Sequence, residues 1–176
     1  MRLAATADLR EPPAFAIPSL LALASRGDHR LLREIGLANT LYLHGFGQGV
    51  QIYTWNGSNW GNPMPEATLF DVQGNAIATH FSGPTWQCNR GSQVVGTVVP
   101  PTVSVDPNAI PWLLLRAVRA QGPGIFSHTT YIQLVNTAGG KAPSWEGTFL
   151  GQVAFVPYTA DYFFYRKTNK RRRNWA

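Results

Sequence analysis

The side chains of this chain that could carry out chemistry are four histidines, one cysteine and a few scattered carboxylates. The cysteine, Cys88, and the histidine nearest to it in sequence, His80, are eight residues apart across the turn-forming sequence Ser82-Gly-Pro-Thr85. A Cys-His nucleophile pair needs both side chains on one face and a third group that orients them. The first question is therefore whether a hairpin at this turn brings His80 and Cys88 together.

Two registers of this hairpin are compatible with the sequence. A four-residue loop, 82–85, pairs Phe81 with Trp86 and places His80 and Cys88 on opposite faces of the sheet. A three-residue loop, 83–85, pairs Phe81 with Gln87 and His80 with Cys88, which places His80 and Cys88 on one face with Cβ atoms ~5 Å apart. The four-residue loop is the preferred prediction because it pairs two aromatic side chains and is the commoner loop. In either register, we interpret Cys88 as a buried core residue and His80 as a hydrogen-bonded structural residue.

Metal or acid-base chemistry would need further side chains. His44 and His128 could join His80 in a metal site only if the fold brings them together, and a small metal-dependent enzyme is the alternative function. The single cysteine excludes an intrachain disulfide and the usual cysteine-rich zinc sites. Asp161 is flanked by aromatic residues, and if buried it needs a partner such as Arg116 or backbone N–H groups. We expect no bound metal or cofactor. The candidate polar site consists of the side chains of His80 and Asp161.

Tryptophans near predicted loops are the best argument for binding. Flat indoles beside amide groups suit sugar rings, whose C–H faces stack on aromatic side chains. The competing interpretation is that these tryptophans close the ends of the core. The sequence predicts a non-enzymatic surface or extracytoplasmic binding module, with carbohydrate or cell-envelope material as the ligand. The candidate ligand-binding residues are Trp55, Trp60, Trp86, Trp145, Asn56 and Asn59.

Positive charge is concentrated at the C-terminus. The formal net charge is +6, and the run 166–173 contains six Lys and Arg residues, so the rest of the chain is close to neutral. A dedicated nucleic-acid-binding protein usually carries a basic face on the folded domain. We therefore expect 166–176 to be a disordered, solvated tail, with nucleic acid or an acidic surface as its weaker candidate partners.

The first forty residues differ in character from the rest. We interpret 1–40 as an arm with short helices, one of them over 29–35, where Asp28 is the N-cap and Gly36 the C-terminal stop. The apolar segment 14–24 has the length and small-residue ending of a secretory signal core, but acidic residues precede it and a proline interrupts it. An extracellular or periplasmic location and a cytoplasmic one both stay open. No apolar run reaches the ~20 residues of a transmembrane helix.

After the arm, apolar residues recur with a period of two between regularly spaced turn residues. This pattern is typical of an all-β sandwich or barrel-like domain, placed here at 41–165. Segment 112–120 has the composition of a helix, but its flanking prolines and glycines favour a strand. The last strand has aromatic residues on both faces, so we expect it to be covered on both sides. The predicted strands are 50–54, 67–71, 76–81, 86–88, 93–99, 112–118, 129–135, 148–154 and 158–165.

Seven motifs in this order resemble one known family. They are GQGVQIY at 47–53, PEATLFD at 65–71, THFSGPTW at 79–86, GSQVVG at 91–96, AIPWLLL at 109–115, YIQLVNTAGGKAP at 131–143 and VPYTADYFFY at 156–165. Over about residues 37–165 the chain resembles the uncharacterised family known as domain of unknown function 3455, whose members are mostly bacterial and fungal and often carry secretion signals. The resemblance implies a compact, β-rich domain with no established activity. Some fungal members are labelled malate dehydrogenases, but this chain has no Gly-x-Gly-x-x-Gly between a strand and a helix.

One departure from the family concerns a disulfide. Relatives carry one cysteine just after the Ile-Tyr strand and another after the Ala-Pro motif, and the resemblance implies a bridge between them. Here those places read Tyr53-Thr-Trp55 and Pro143-Ser-Trp-Glu146. Such a bridge typically stabilises the folded protein by ~2–4 kcal/mol. Because this chain lacks both cysteines, it is an open question whether the protein is exported as its relatives are. We expect tryptophans at these two places to pack where the bridge would lie.

Overall fold

The computed structural model describes residues 35, 36 and 38–168, and in them eight antiparallel strands close into one barrel. Each strand pairs with its neighbour in the chain, and the first strand pairs with the last, so the described strands leave no sheet edge open. The predicted all-β, barrel-like domain is confirmed. The strands are β1 Asn39–Thr54, β2 Met64–Phe70, β3 Ala76–Phe81, β4 Thr85–Cys88, β5 Gln93–Val103, β6 Trp112–Gln121, β7 Thr129–Gly139 and β8 Val153–Lys167.

Several predicted boundaries differ from the structure. The predicted strand 148–154 is wrong, because the chain forms a loop as far as residue 152 and β8 begins only at Val153. Gly151, whose φ is +84°, donates its backbone N–H to the Trp55 carbonyl and ends any strand geometry there. Arg166 and Lys167, predicted as tail, belong to β8. The predicted helical arm before residue 35 and the tail after 168 lie outside the described residues, and no helix in the described part could span a bilayer.

The hairpin between β3 and β4 adopts neither predicted register. Its loop is the three residues 82–84, so Phe81 faces Thr85, His80 faces Trp86 and Ala78 faces Cys88. The loop is one residue shorter than preferred because Gly83 takes a φ of +79°, which lets the chain reverse sooner. The predicted pairing of Phe81 with Trp86 is therefore wrong. Trp86 stacks on His80 instead, at 4.3 Å between ring centroids.

Alternate residues of each strand fill the barrel interior. Its core consists of buried side chains such as Leu69, Trp86, Ile132 and Tyr162. On β1 the inward positions opposite these residues include two glycines, Gly45 and Gly47. A Cβ at Gly47 would overlap the ring of Tyr162, so the absence of a side chain there leaves space for the tyrosine.

We therefore expect Gly47→Ala to lower the free energy of unfolding by about 1–3 kcal/mol, because the fully buried Tyr162 ring cannot move without overpacking the core. Urea unfolding monitored by fluorescence measures the change. In a Tyr162→Leu background the same glycine substitution should cost clearly less. Equal losses in the two backgrounds would contradict the proposed contact.

Strand β8 is buried on both faces, as predicted from its aromatic residues. Tyr162 and Phe164 point into the barrel, while Phe163 and Tyr165 pack outside it with Trp112 of β6. This second apolar cluster covers the outer faces of β6, β7 and β8 and includes Ile35. Segment 112–121 is a strand, so the preference for strand over helix is confirmed.

The up-and-down topology gives the barrel two distinct ends. The connections 55–63, 82–84, 104–111 and 140–152 lie at one end, called here the upper end, and 71–75, 89–92 and 122–128 lie at the lower end. At the lower end, Phe126 is fully buried, packs against Phe164 and donates its backbone N–H to Ser92 Oγ. The lower end is thereby closed by a side chain of the connection between β6 and β7.

Candidate functional site

A cavity of about 220 Å³ lies inside the barrel near its upper end. Leucines of β6 and β7, among them Leu113 and Leu134, form its apolar wall. Four prolines also line it. Three of them belong to upper-end connections, and the fourth lies at the start of β2. Because proline lacks an N–H group and has a fixed φ, it suits strand starts and turns, which places rigid apolar groups around the opening. These prolines are Pro63, Pro65, Pro84 and Pro111.

His80 and Trp86 form the aromatic part of the cavity wall. Their rings are stacked almost in parallel, with an interplanar angle of 4°, and the Tyr162 ring makes a T-shaped contact with the imidazole. His80 Nδ1 lies 2.9 Å from the Thr85 carbonyl, which can only accept, so Nδ1 carries the proton. Burial lowers the pKa of His80 from 6.5 to about 4, so the imidazole is neutral at neutral pH.

Other polar atoms of the cavity wall are only partly satisfied. Tyr162 and Tyr158 share a hydrogen bond of 3.0 Å between their hydroxyl groups. Burial raises the pKa of Tyr158 to about 12, so its phenol is also neutral. By contrast, the buried atoms Trp86 Nε1 and Gln51 Oε1 have no hydrogen-bond partner among the described residues. Both belong to residues that line the cavity.

Three of the four predicted ligand-binding tryptophans form one cluster at the upper end. Trp60 packs edge-on against both Trp55 and Trp145, and its Nε1 donates to the Trp145 carbonyl at 2.8 Å. Trp55 is buried, whereas Trp145 is about half exposed. Trp86 does not join this cluster, because it is an interior residue of β4 rather than a loop residue.

The predicted amide ligands bond within their own loop. Asn56 Oδ1 accepts the backbone N–H groups of Ser58 and Asn59, and Asn56 Nδ2 donates to Asn59 Oδ1 at 2.9 Å. These bonds fix the loop that follows β1, as expected of Asn-Gly in a turn. The Asn56 amide therefore serves the loop's own conformation.

Comparison with known proteins identifies a family for this chain. A family model described as "Protein of unknown function (DUF3455)" matches residues 37–166, which is nearly the whole barrel. The chain belongs to the DUF3455 family. No curated protein and no solved structure matches the chain.

In this DUF3455 barrel, indoles connect the two places where the family resemblance implies a disulfide. Trp55 packs so closely on residue 147 that a Cβ at Gly147 would overlap its ring, while Trp60 contacts Trp145. The two segments are thus held together by aromatic packing. Trp55 and Trp145 meet through Trp60, which the sequence did not single out as the connecting residue.

Asp161 lies on the outer face of the DUF3455 barrel, away from His80. His44 Nε2 lies 2.7 Å from Asp161 Oδ1, and Asn136 Nδ2 donates to Asp161 Oδ2 at 2.8 Å. The His44 ring also stacks on Phe163, at 4.6 Å between centroids. The predicted structural pairing of Asp161 is therefore present, but its partners are His44 and Asn136 rather than Arg116. His80 and Asp161 do not share a site.

The histidines of the proposed metal site do not converge. His80 is inside the barrel near the upper end, His44 is outside it on β1, and His128 lines a surface cleft with Arg166 at the lower end. The described residues contain no group of three or more His, Cys, Asp or Glu side chains that could hold a metal ion. Cys88 is buried, faces Ala78 across the hairpin, and lies 3.0 Å from Ser92 Oγ.

Sequence reasoning missed most of the cavity wall. Gln51 and Leu134 look like ordinary positions of alternating strands, and the prolines look like loop residues. One available signal was the inward alternation of Gly45, Gly47, Gly49 and Gln51, where a polar residue follows small ones on the core face. A glutamine on an otherwise apolar inward face indicates a polar group inside the barrel.

Proposed function

We propose that this DUF3455 domain is a binding protein that takes up a small, mostly apolar molecule inside its barrel. The observation that carries the proposal is the cavity of about 220 Å³ at the upper end. The interior of an eight-stranded barrel either fills with side chains or holds one small ligand. Since an engineered apolar cavity of about 150 Å³ binds benzene, the volume here suits a substituted single ring.

The surroundings of the cavity support an apolar ligand. The loop 140–152 at the same end exposes Trp145, Phe149 and Leu150 to solvent. Exposed apolar side chains that lie together, such as the chain neighbours Phe149 and Leu150, are more typical of binding regions than of the rest of a monomeric surface. These side chains add exposed apolar surface at the end of the barrel where the cavity lies.

Carbohydrate binding at the tryptophan cluster has less support from the geometry. Trp55 is buried, Trp60 is engaged edge-on by both of its neighbours, and Asn56 bonds within its loop. Trp145 alone offers a broadly exposed indole among these three tryptophans. A metal-dependent enzyme has still less support, because His44, His80 and His128 are far apart in the fold.

Filling the cavity tests the proposal. We expect the wild-type protein to bind toluene saturably in calorimetric titration, and Leu134→Trp to weaken that binding at least tenfold because the indole occupies the ligand's space. Leu113→Phe, a smaller change at a half-buried wall position, should weaken it in the same direction. Val118→Trp, on the exposed face of β6, is the matched control and should leave it unchanged.

Two results would contradict the proposal. One is that the folded wild-type protein saturably binds neither toluene nor 4-methylphenol, a ring of similar size that carries a hydroxyl group. The other is polysaccharide binding that Trp145→Ala abolishes and Leu134→Trp leaves intact, which would place the ligand at the tryptophan cluster instead.

A further inference from the structure

The polar atoms of the cavity wall define the chemistry of the ligand more narrowly than the apolar surface of the cavity does. We propose that the ligand is an uncharged, single-ring-sized molecule with a hydroxyl group, which accepts a hydrogen bond from Trp86 Nε1 and donates one to Gln51 Oε1. This inference rests on the proposed function, because it names the chemistry of the molecule bound in the same cavity.

The absence of charge in the wall argues for a neutral ligand. None of the lining residues is Asp, Glu, Lys or Arg. The two titratable groups that face the cavity, His80 and Tyr162, are both neutral at neutral pH because burial disfavours their charged forms. A carboxylate or ammonium ligand would lose its hydration here without gaining an opposite charge.

Trp86 supplies a hydrogen-bond donor. The indole N–H group can only donate, and in this structure the buried Nε1 has no partner within the described chain. Buried N–H groups are nearly always paired in native proteins, so an unpaired one that belongs to a cavity wall indicates a missing acceptor. An oxygen on the ligand would provide that acceptor.

Gln51 supplies the complementary acceptor. Its Oε1 atom is buried and unpaired among the residues that the structure describes, although the side chain lines the cavity. His80 adds a second acceptor, because Nδ1 donates to Thr85 and the neutral ring therefore keeps a lone pair on Nε2. The wall thus offers acceptors as well as the indole donor, which matches a group that both accepts and donates.

A hydroxyl group satisfies both requirements with a single atom. Its oxygen accepts from Trp86 Nε1 while its hydrogen is donated to Gln51 Oε1, or to His80 Nε2. A carbonyl or ether oxygen would satisfy only the indole, and a pure hydrocarbon would satisfy neither. Binding sites built around a hydroxyl discriminate strongly against ligands that lack it, since the buried polar groups are then left unpaired.

Two ligands of nearly equal shape test the inference. In 4-methylphenol and 1,4-dimethylbenzene a hydroxyl and a methyl group occupy the same position. We expect the wild-type protein to bind 4-methylphenol at least tenfold more tightly in calorimetric titration. A purely apolar cavity would show the reverse preference, because an unpaired hydroxyl is costly to bury.

Variants assign the preference to the two polar atoms. Trp86→Phe removes the N–H group but keeps an aromatic ring beside His80, and it should reduce the preference about tenfold. Gln51→Met removes the acceptor at similar volume and should act in the same direction. Trp112→Phe, the same substitution in the outer apolar cluster, is the matched control and should leave the preference unchanged.

The outcomes separate this inference from the proposed function. If both compounds bind the wild-type protein with similar affinity, or if the preference survives in Trp86→Phe and in Gln51→Met, the hydroxyl inference is wrong and the cavity remains a binding site. If neither compound binds the wild-type protein, the proposed function fails and the inference fails with it.

Discussion

Phe126→Ala should lower the free energy of unfolding by about 3–5 kcal/mol, the range for truncating a fully buried phenylalanine. The Phe126 side chain has no solvent exposure and lies 4.9 Å from the Phe164 ring, between centroids. It closes the lower end of the barrel, so its removal leaves a void and admits water to the core from that side. Chemical denaturation at neutral pH measures the loss.

Phe155→Ala is the matched control for this experiment. Phe155 is 64% exposed on the outer face of β8, so its truncation should change the stability by no more than about 0.5 kcal/mol. If the two variants lost similar amounts, Phe126 would not be the closure of the barrel that its burial indicates.

Lowering the pH from 7.5 to 4 should remove about 3 kcal/mol of stability through His80 alone. Burial lowers the pKa of His80 in the folded protein to about 4, whereas in the unfolded chain it is near 6.5. Between these values the unfolded chain binds a proton that the folded protein does not. The stability contribution of neutral His80 is therefore complete above pH 6.5 and declines as the pH falls towards 4. Each pKa unit corresponds to about 1.4 kcal/mol.

Comparison with His80→Asn isolates this effect from the other titrating groups. Asparagine can donate a hydrogen bond to the Thr85 carbonyl but does not titrate, and all other histidines and carboxylates are common to the two proteins. The stability difference between wild type and His80→Asn should shrink or change sign as the pH falls. Parallel pH profiles would show that His80 is not held neutral by burial.

Elements whose signals are local were predictable from the sequence. The period of two, together with regularly spaced turns, indicated an all-β domain, and the aromatics on both sides of 158–165 indicated a strand buried on both faces. Segment 112–121 formed a strand despite its helix-favouring leucines, as its flanking prolines and glycines indicated. Segment 148–154 did not, because its glycine-containing turn bonds to Trp55, a contact almost a hundred residues away in the chain.

The candidate site was less predictable because it depends on which face of each strand points inward. His80 and Asp161 were grouped as one possible polar site, but they lie on opposite sides of the barrel wall. Trp86 was grouped with the loop tryptophans, but the three-residue loop after Phe81 places it inside, against His80. A shift of one residue in strand register moves every side chain to the other face, so a small error at one turn changed the whole site.

The sequence by itself determined that this protein is an all-β member of the DUF3455 family, because motif order and alternating hydrophobicity are properties of the chain alone. Only the tertiary structure decided that β1 pairs with β8, which closes the sheet into a barrel with an interior. Closure assigns Gln51, His80 and Trp86 to one cavity and leaves His44 with Asp161 on the outer surface. Alternation defines two faces of a strand, but only long-range pairing decides which of them encloses the core.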